Sequence, residues 1–117
     1  MRVLTVALFA ALVLSVASAG AMNAAPVKLV ATVGPGVNIT LTKGGAKVGS
    51  LPAGSYMVSV RDRSNEHNFH LMGPGTNKTS SVGAEGTSTW KLTLKKGSYR
   101  FVCDPHATFM KGAFKVR

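Results

Sequence analysis

From Val27 to Val116 the chain is written in short apolar and β-branched runs, most of them alternating with a period of two and separated by glycine-bearing turns. Val27–Val33 and Val37–Thr42 read as strands interrupted at Gly34-Pro35-Gly36, and Lys43-Gly44-Gly45 closes the second. Tyr56, Val58 and Val60 alternate with Met57, Ser59 and Arg61, which predicts a half-buried strand; Asn68–Leu71 predicts a shorter one. Trp90, Leu92 and Leu94 share a face opposite Lys91, Thr93 and Lys95. After a turn at Lys96-Gly97, Tyr99, Phe101 and Cys103 point inward together, and Gly112–Val116 makes the last strand. The polar stretch Gly73–Thr87 reads as a long surface connection, and no helical face appears.

Each of these strands offers one apolar face, and a second sheet is needed to cover it. The pattern therefore predicts an all-β, antiparallel Greek-key sandwich or barrel. Leu51-Pro52-Ala53-Gly54-Ser55-Tyr56 is echoed by Leu94-Lys95-Lys96-Gly97-Ser98-Tyr99. Both copies put a glycine turn before a tyrosine that opens a strand, the arrangement in which a tyrosine hydroxyl bonds back to nearby backbone at a sheet corner.

Ahead of this domain, residues 1–19 have the form of a cleavable signal peptide: Arg2, an apolar run from Val3 to Val16, and a small-residue cleavage site at Ala17-Ser18-Ala19. The run is shorter than the ~20 residues a spanning helix needs. Residues 20–26 read as a flexible lead-in and 27–117 as the domain; cleavage would leave 98 of the 117 residues, enough for one core. With 45% hydrophobic and 15% charged residues, wholesale disorder is excluded. The expected location is outside the cytoplasm, periplasmic or extracellular.

Fourteen Lys and Arg stand against four Asp and Glu, a formal charge of +10. The basic residues are spread singly along the chain, with only Lys95-Lys96 adjacent, so a solvated basic surface fits better than a specific nucleic-acid site. Such a field draws partners with acidic surfaces and allows peripheral association with anionic membranes. The acidic residues Asp62, Glu66, Glu85 and Asp104 form no evident acid–base pair, and no oxyanion-hole signal accompanies Cys103 and His106, so an enzyme is not expected.

Cys103 is the only cysteine, so it cannot close an intramolecular disulfide, and an exported lone thiol calls for burial or ligation. It opens the densest chemical cluster in the chain, Cys103-Asp104-Pro105-His106-Ala107-Thr108-Phe109-Met110. Thiolate, imidazole and thioether are the donors that suit copper, and two His with one Cys plus a long axial Met is the blue-copper arrangement. A structural zinc site prefers four strong donors and fits less well. One further histidine is needed, and Glu66-His67-Asn68-Phe69-His70-Leu71 offers two. His67, Phe69 and Leu71 share strand parity, so a core-facing Phe69 brings His67 inward and turns His70 away.

In His67-Asn68 and in the stretch from Tyr99 through Met110 the chain resembles the cupredoxins, the small blue-copper proteins that include plastocyanin, amicyanin and azurin. The resemblance implies one copper ion with ligands His67, Cys103, His106 and Met110, and an Asn68 that ties the two ligand segments together. Three residues separate His106 from Met110, fewer than in the plastocyanin loop and more than in amicyanin; Met72 is the alternative sulfur, with core packing as its simpler role. With three histidines in all, further copper centres are excluded. The functional expectation is a monomeric, exported one-electron carrier with a protein redox partner; the alternative is a copper-binding or delivery protein using the same ligands, and a further one a sandwich serving only binding or adhesion. His106, on the loop, is expected to be the most exposed ligand, ringed by Pro105, Ala107 and Phe109.

Overall fold

Two five-stranded sheets enclose one apolar core in the computed structural model, which describes residues 25–117 and the isolated positions 11 and 13. The strands are β1 (Val27–Val33), β2 (Ile39–Lys43), β3 (Ala46–Lys47), β4 (Ser50–Leu51), β5 (Gly54–Asp62), β6 (His70–Gly73), β7 (Thr76–Thr79), β8 (Gly86–Leu94), β9 (Gly97–Val102) and β10 (Lys111–Val116). Their order is β3-β2-β1-β5-β8 in one sheet and β4-β10-β9-β6-β7 in the other. The only helical element among the described residues is a 3₁₀ turn, Asp104–His106. The expected leader lies outside the described residues but for positions 11 and 13; among described residues no helix is long and apolar enough to cross a membrane.

Alternation builds the core as the pattern requires. Leu29, Ala31 and Val33 of β1, Tyr56, Val58 and Val60 of β5, Trp90 and Leu94 of β8, Tyr99 and Phe101 of β9, and Phe114 and Val116 of β10 are all buried. Phe101 stacks on Phe69 with centroids 5.2 Å apart, and Tyr99 stacks on Phe114 at the same separation, so aromatic pairs bridge neighbouring segments of the second sheet. Both expected corners form. The Tyr99 hydroxyl donates to the Lys95 carbonyl at 2.8 Å and accepts from the Lys95 amide at 2.9 Å, while the Tyr56 hydroxyl donates to the Pro52 carbonyl.

Three expectations are corrected. The sheets are mixed rather than strictly antiparallel: β1 runs parallel to β5, Val27 opposite Tyr56 through Val33 opposite Asp62, and β4 runs parallel to β10. Between β1 and β5 the chain makes the β2–β3 hairpin, crosses to the other sheet for β4, and returns beside β1 in the same direction. Side-chain alternation reports which face is buried and carries no information on strand direction. Gly73–Thr87 is no mere connection, because it contains β7 and the first residues of β8. Its Asn77, Lys78 and Thr79 are exposed on an edge strand, so the apolar alternation that marks a strand is missing. Finally, β6 begins at His70, and Asn68 lies in an irregular segment, 2% exposed, with its polar side chain turned inward.

Candidate metal centre

Three connections at one end of the sandwich build the site: the β1–β2 turn, the β5–β6 segment and the β9–β10 loop. Cys103 follows β9 on the inward parity of Tyr99 and Phe101 and is fully buried. Its amide donates to the Met110 carbonyl at 3.0 Å, and the Met110 amide donates to the His106 carbonyl at 2.8 Å. These bonds close Cys103 to Met110 into a tight loop, with Pro105 in the first turn of its 3₁₀ segment. Cys103 and Met110 are therefore both pinned at the mouth of the core, and Met110 is 0% exposed.

His67 arrives from the β5–β6 segment and is 5% exposed. Its Nε2 lies 2.7 Å from the Gly36 carbonyl, an acceptor only, so that nitrogen carries the proton and Nδ1 presents a lone pair. The turn that supplies the carbonyl depends on glycine. Gly34 has φ +68°, and a Cβ there would stand 3.0 Å from Ser64 Cβ and 3.6 Å from the His67 ring.

The donor atoms converge. Cys103 Sγ is 3.6 Å from His67 Nδ1 and 3.6 Å from His106 Nδ1, and the two nitrogens are 3.1 Å apart. All three lie within 4.8 Å of one another, the only such cluster among the described residues. A buried thiol facing two imidazole nitrogens, one already stripped of its proton by a bond on the far side of its ring, suits a soft or borderline cation. Of the sequence candidates, His67 joins this cluster and His70 does not. Met72 alternates with the buried Leu71 and lines the outer face of its sheet with Arg100 and Val102.

A polar brace surrounds the centre. Asn68 accepts from the Asp104 amide at 2.7 Å through Oδ1, while its Nδ2 donates to Asp104 Oδ2 at 2.7 Å and to Thr79 Oγ1 at 2.9 Å. His70 continues it, with Nδ1 2.8 Å from Asp104 Oδ1 and Nε2 2.6 Å from Asn77 Oδ1. The Asp104 hydrogen bond raises the His70 pKa; burial opposes it, the Asn77 bond and the Asp104 charge add to it, Arg100 subtracts, and the net shift is upward. Burial pushes the Asp104 carboxyl up, but the hydrogen bonds from His70 and Asn68 and the His70 charge outweigh it and hold the group below its ordinary value. Asn68 was reached only through the resemblance; His70 was a ligand candidate expected to turn away, as it does, but its bond to Asp104 was not foreseen, and Asn77 and the Gly36 carbonyl were missed. The one signal available was an acidic residue next to Cys103 with a second histidine upstream.

Among the four expected ligands His106 alone is partly exposed. The Phe109 ring lies 5.4 Å from its own and is 57% exposed, and Pro105 and Ala107 are exposed on the same loop.

This sandwich, with a buried Cys between two His and a Met closing the loop, defines a cupredoxin. The profile of the family described as copper binding proteins, plastocyanin/azurin family, matches residues 10–117, and the chain belongs to that family. His67, Cys103, His106 and Met110 are arranged for a single copper ion. No curated protein matches. Among solved structures, reduced rusticyanin is similar at TM-score 0.60 and 18% identity, covering 81% of each chain. Rusticyanin from Thiobacillus ferrooxidans matches at 0.54 and 20%, covering 81% of this chain and 79% of that one. Auracyanin from Roseiflexus castenholzii matches at 0.54 and 20%, covering 80% and 99%. At these identities the likeness is one of fold.

Proposed function

We propose that the protein is an exported mononuclear blue-copper electron carrier that exchanges single electrons with a protein partner bearing an acidic surface. The observation that carries this reading is the convergence of His67 Nδ1, His106 Nδ1 and Cys103 Sγ within 4.8 Å, with the sulfur at 0% exposure. Copper held there supplies a one-electron couple. The chain's part is to keep the donors still. The Gly36 carbonyl fixes the His67 tautomer, the Cys103–Met110 backbone bond fixes the loop, and Asn68 joins the two segments. Donors that are already assembled rearrange little between oxidation states, which keeps the barrier to transfer low. His106 offers the exposed edge, and Pro105, Ala107 and Phe109 supply an apolar contact area around it. A formal charge of +10 favours acidic partners in the encounter. The apolar run and small-residue site at residues 1–19 support export.

Titration with Cu(II) tests the reading. One equivalent is expected to produce an intense thiolate-to-copper band that Cys103→Ser abolishes while leaving the circular dichroism of the sandwich intact. Copper binding without that band would refute a blue site. A carrier keeps its metal through repeated reduction and reoxidation, whereas loss of copper to an acceptor during cycling would favour a delivery protein.

A further inference from the structure

Beside the copper end of the sandwich lies a second polar feature that the copper site does not use. Asp62 ends β5 on the inward parity of Val58 and Val60 and is 6% exposed. Its Oδ1 accepts from the Ser64 amide at 3.1 Å, but Oδ2 is buried with no hydrogen-bond partner. A buried carboxylate oxygen without a partner is costly and uncommon. The chain has 14 Lys and Arg, yet none forms an ion pair with Asp62 among the described residues, where the only pair is His70 with Asp104.

Asp62 lines a recess of about 120 Å³ together with Ser80, Ala84, Glu85, Gly86, Thr87 and Ser88. Every polar side chain in that lining ends in oxygen, and none brings nitrogen or sulfur. A water takes ~30 Å³ of liquid, so the recess has room for an ion with some of its hydration. Burial pushes the Asp62 carboxyl up, the Ser64 amide and His67 pull it down, Glu85 pushes it up again, and the net shift is upward. The recess brings two of the four acidic residues together on a protein otherwise strongly basic.

We propose that this recess binds a hard divalent cation, Ca²⁺ above all, through the carboxylates of Asp62 and Glu85, with hydroxyl and carbonyl oxygens of the lining and water completing the shell. The cation neutralises Asp62 Oδ2 and ties the end of β5, from which the chain runs directly to His67, to the loop between β7 and β8. Hardness separates the two metals, since an all-oxygen recess suits Ca²⁺ and the thiolate–imidazole cluster suits copper. Two carboxylates place the affinity in the weak range of extracellular calcium modules, with a dissociation constant on the order of 10⁻⁴–10⁻³ M.

The test is unfolding of the full-length chain, with one equivalent of copper added, in CaCl₂ at constant ionic strength, alongside amide NMR spectra. At ten times the dissociation constant the folded-to-unfolded ratio should rise about elevenfold and go on rising in proportion to the calcium concentration, while the amide shifts saturate. Amides of Asp62 and Glu85–Ser88 should shift, Asp62→Asn should abolish the response, and Glu85→Gln should weaken it. Asparagine at position 62 removes an unpaired buried charge and is expected to fold; if it does not, the Glu85→Gln spectra decide. A flat wild-type response, or one that survives both substitutions, overturns the proposal and leaves Asp62 Oδ2 with a proton or a water. Because the shifts are read at the recess, they stand whether or not copper gives its thiolate band.

Discussion

Replacing Asn68 with alanine removes three hydrogen bonds at once and leaves the His70–Asp104 pair to brace the segment that carries His67 against the one that carries Cys103. The bond from Nδ2 to Asp104 Oδ2, 2.7 Å, is made to a carboxylate and belongs to the stronger class, about 1.5–3 kcal/mol; those to the Asp104 amide and Thr79 are each about 1 kcal/mol. Asp104's side chain is 48% exposed, so water recovers part of the first term, and the net loss is expected near about 3 kcal/mol. Small domains are stable by about 5–15 kcal/mol, so this is a large share of the total. With a urea m-value of about 1.5 kcal/mol/M the midpoint of the metal-free protein should fall by about 2 M at unchanged m. The copper-loaded variant should show a weakened or displaced thiolate band, because the Cys103 loop has lost its anchor across the site. Asn68→Asp should be worse than alanine at neutral pH, since it sets a second carboxylate against Asp104. A midpoint loss equivalent to less than about 1 kcal/mol would refute the view that this brace holds the two segments together.

Three further outcomes are expected. Gly112→Ala places a Cβ 2.2 Å from Phe101 Cζ and 2.6 Å from Cε2, against a ring already stacked on Phe69; overpacking of this kind costs about 1–3 kcal/mol, and a melting temperature lowered by less than about 4 °C would contradict it. The raised pKa of His70 gives a stability contribution that is complete below its ordinary value of 6.5 and lost as pH rises through the higher folded value, so the wild type should lose its advantage over His70→Ala on the alkaline side of 6.5. An advantage that grows with pH across that range would show the linkage to have the wrong sign. Phe109→Glu, at a ring 57% exposed beside His106, should slow electron exchange with an acidic partner while leaving the copper spectrum in place; a changed spectrum with unchanged exchange would move the port elsewhere.

The chain's alternation was enough to read β1, β5, the half of β8 from Trp90 on, β9 and β10, because in each a period-two apolar face is buried against the opposite sheet; the first four residues of β8 are exposed and carry no such face. β7 escaped the same reading. It is an edge strand whose polar residues face water, and its pairing with β6 rests on backbone bonds that no side-chain pattern announces. The tyrosine corners were legible because each is a local event: Tyr99 bonds Lys95 and Tyr56 bonds Pro52, four residues away in both cases.

The site divides along the same line. Cys103 and His106 lie three residues apart on one turn, so the sequence alone brings them together, and it names the soft donor chemistry with them. Which histidine meets them across a separation of 36 residues was decided by the tertiary structure. There the irregular run from His67 to Phe69 buries His67 and Asn68 and leaves His70 outside on Asp104. The parallel pairings and the partnerless Asp62 oxygen were decided there too. A short-range pattern records what each residue prefers to bury; directions, partners and unpaired charges arise only when distant segments meet, and no local preference encodes that meeting.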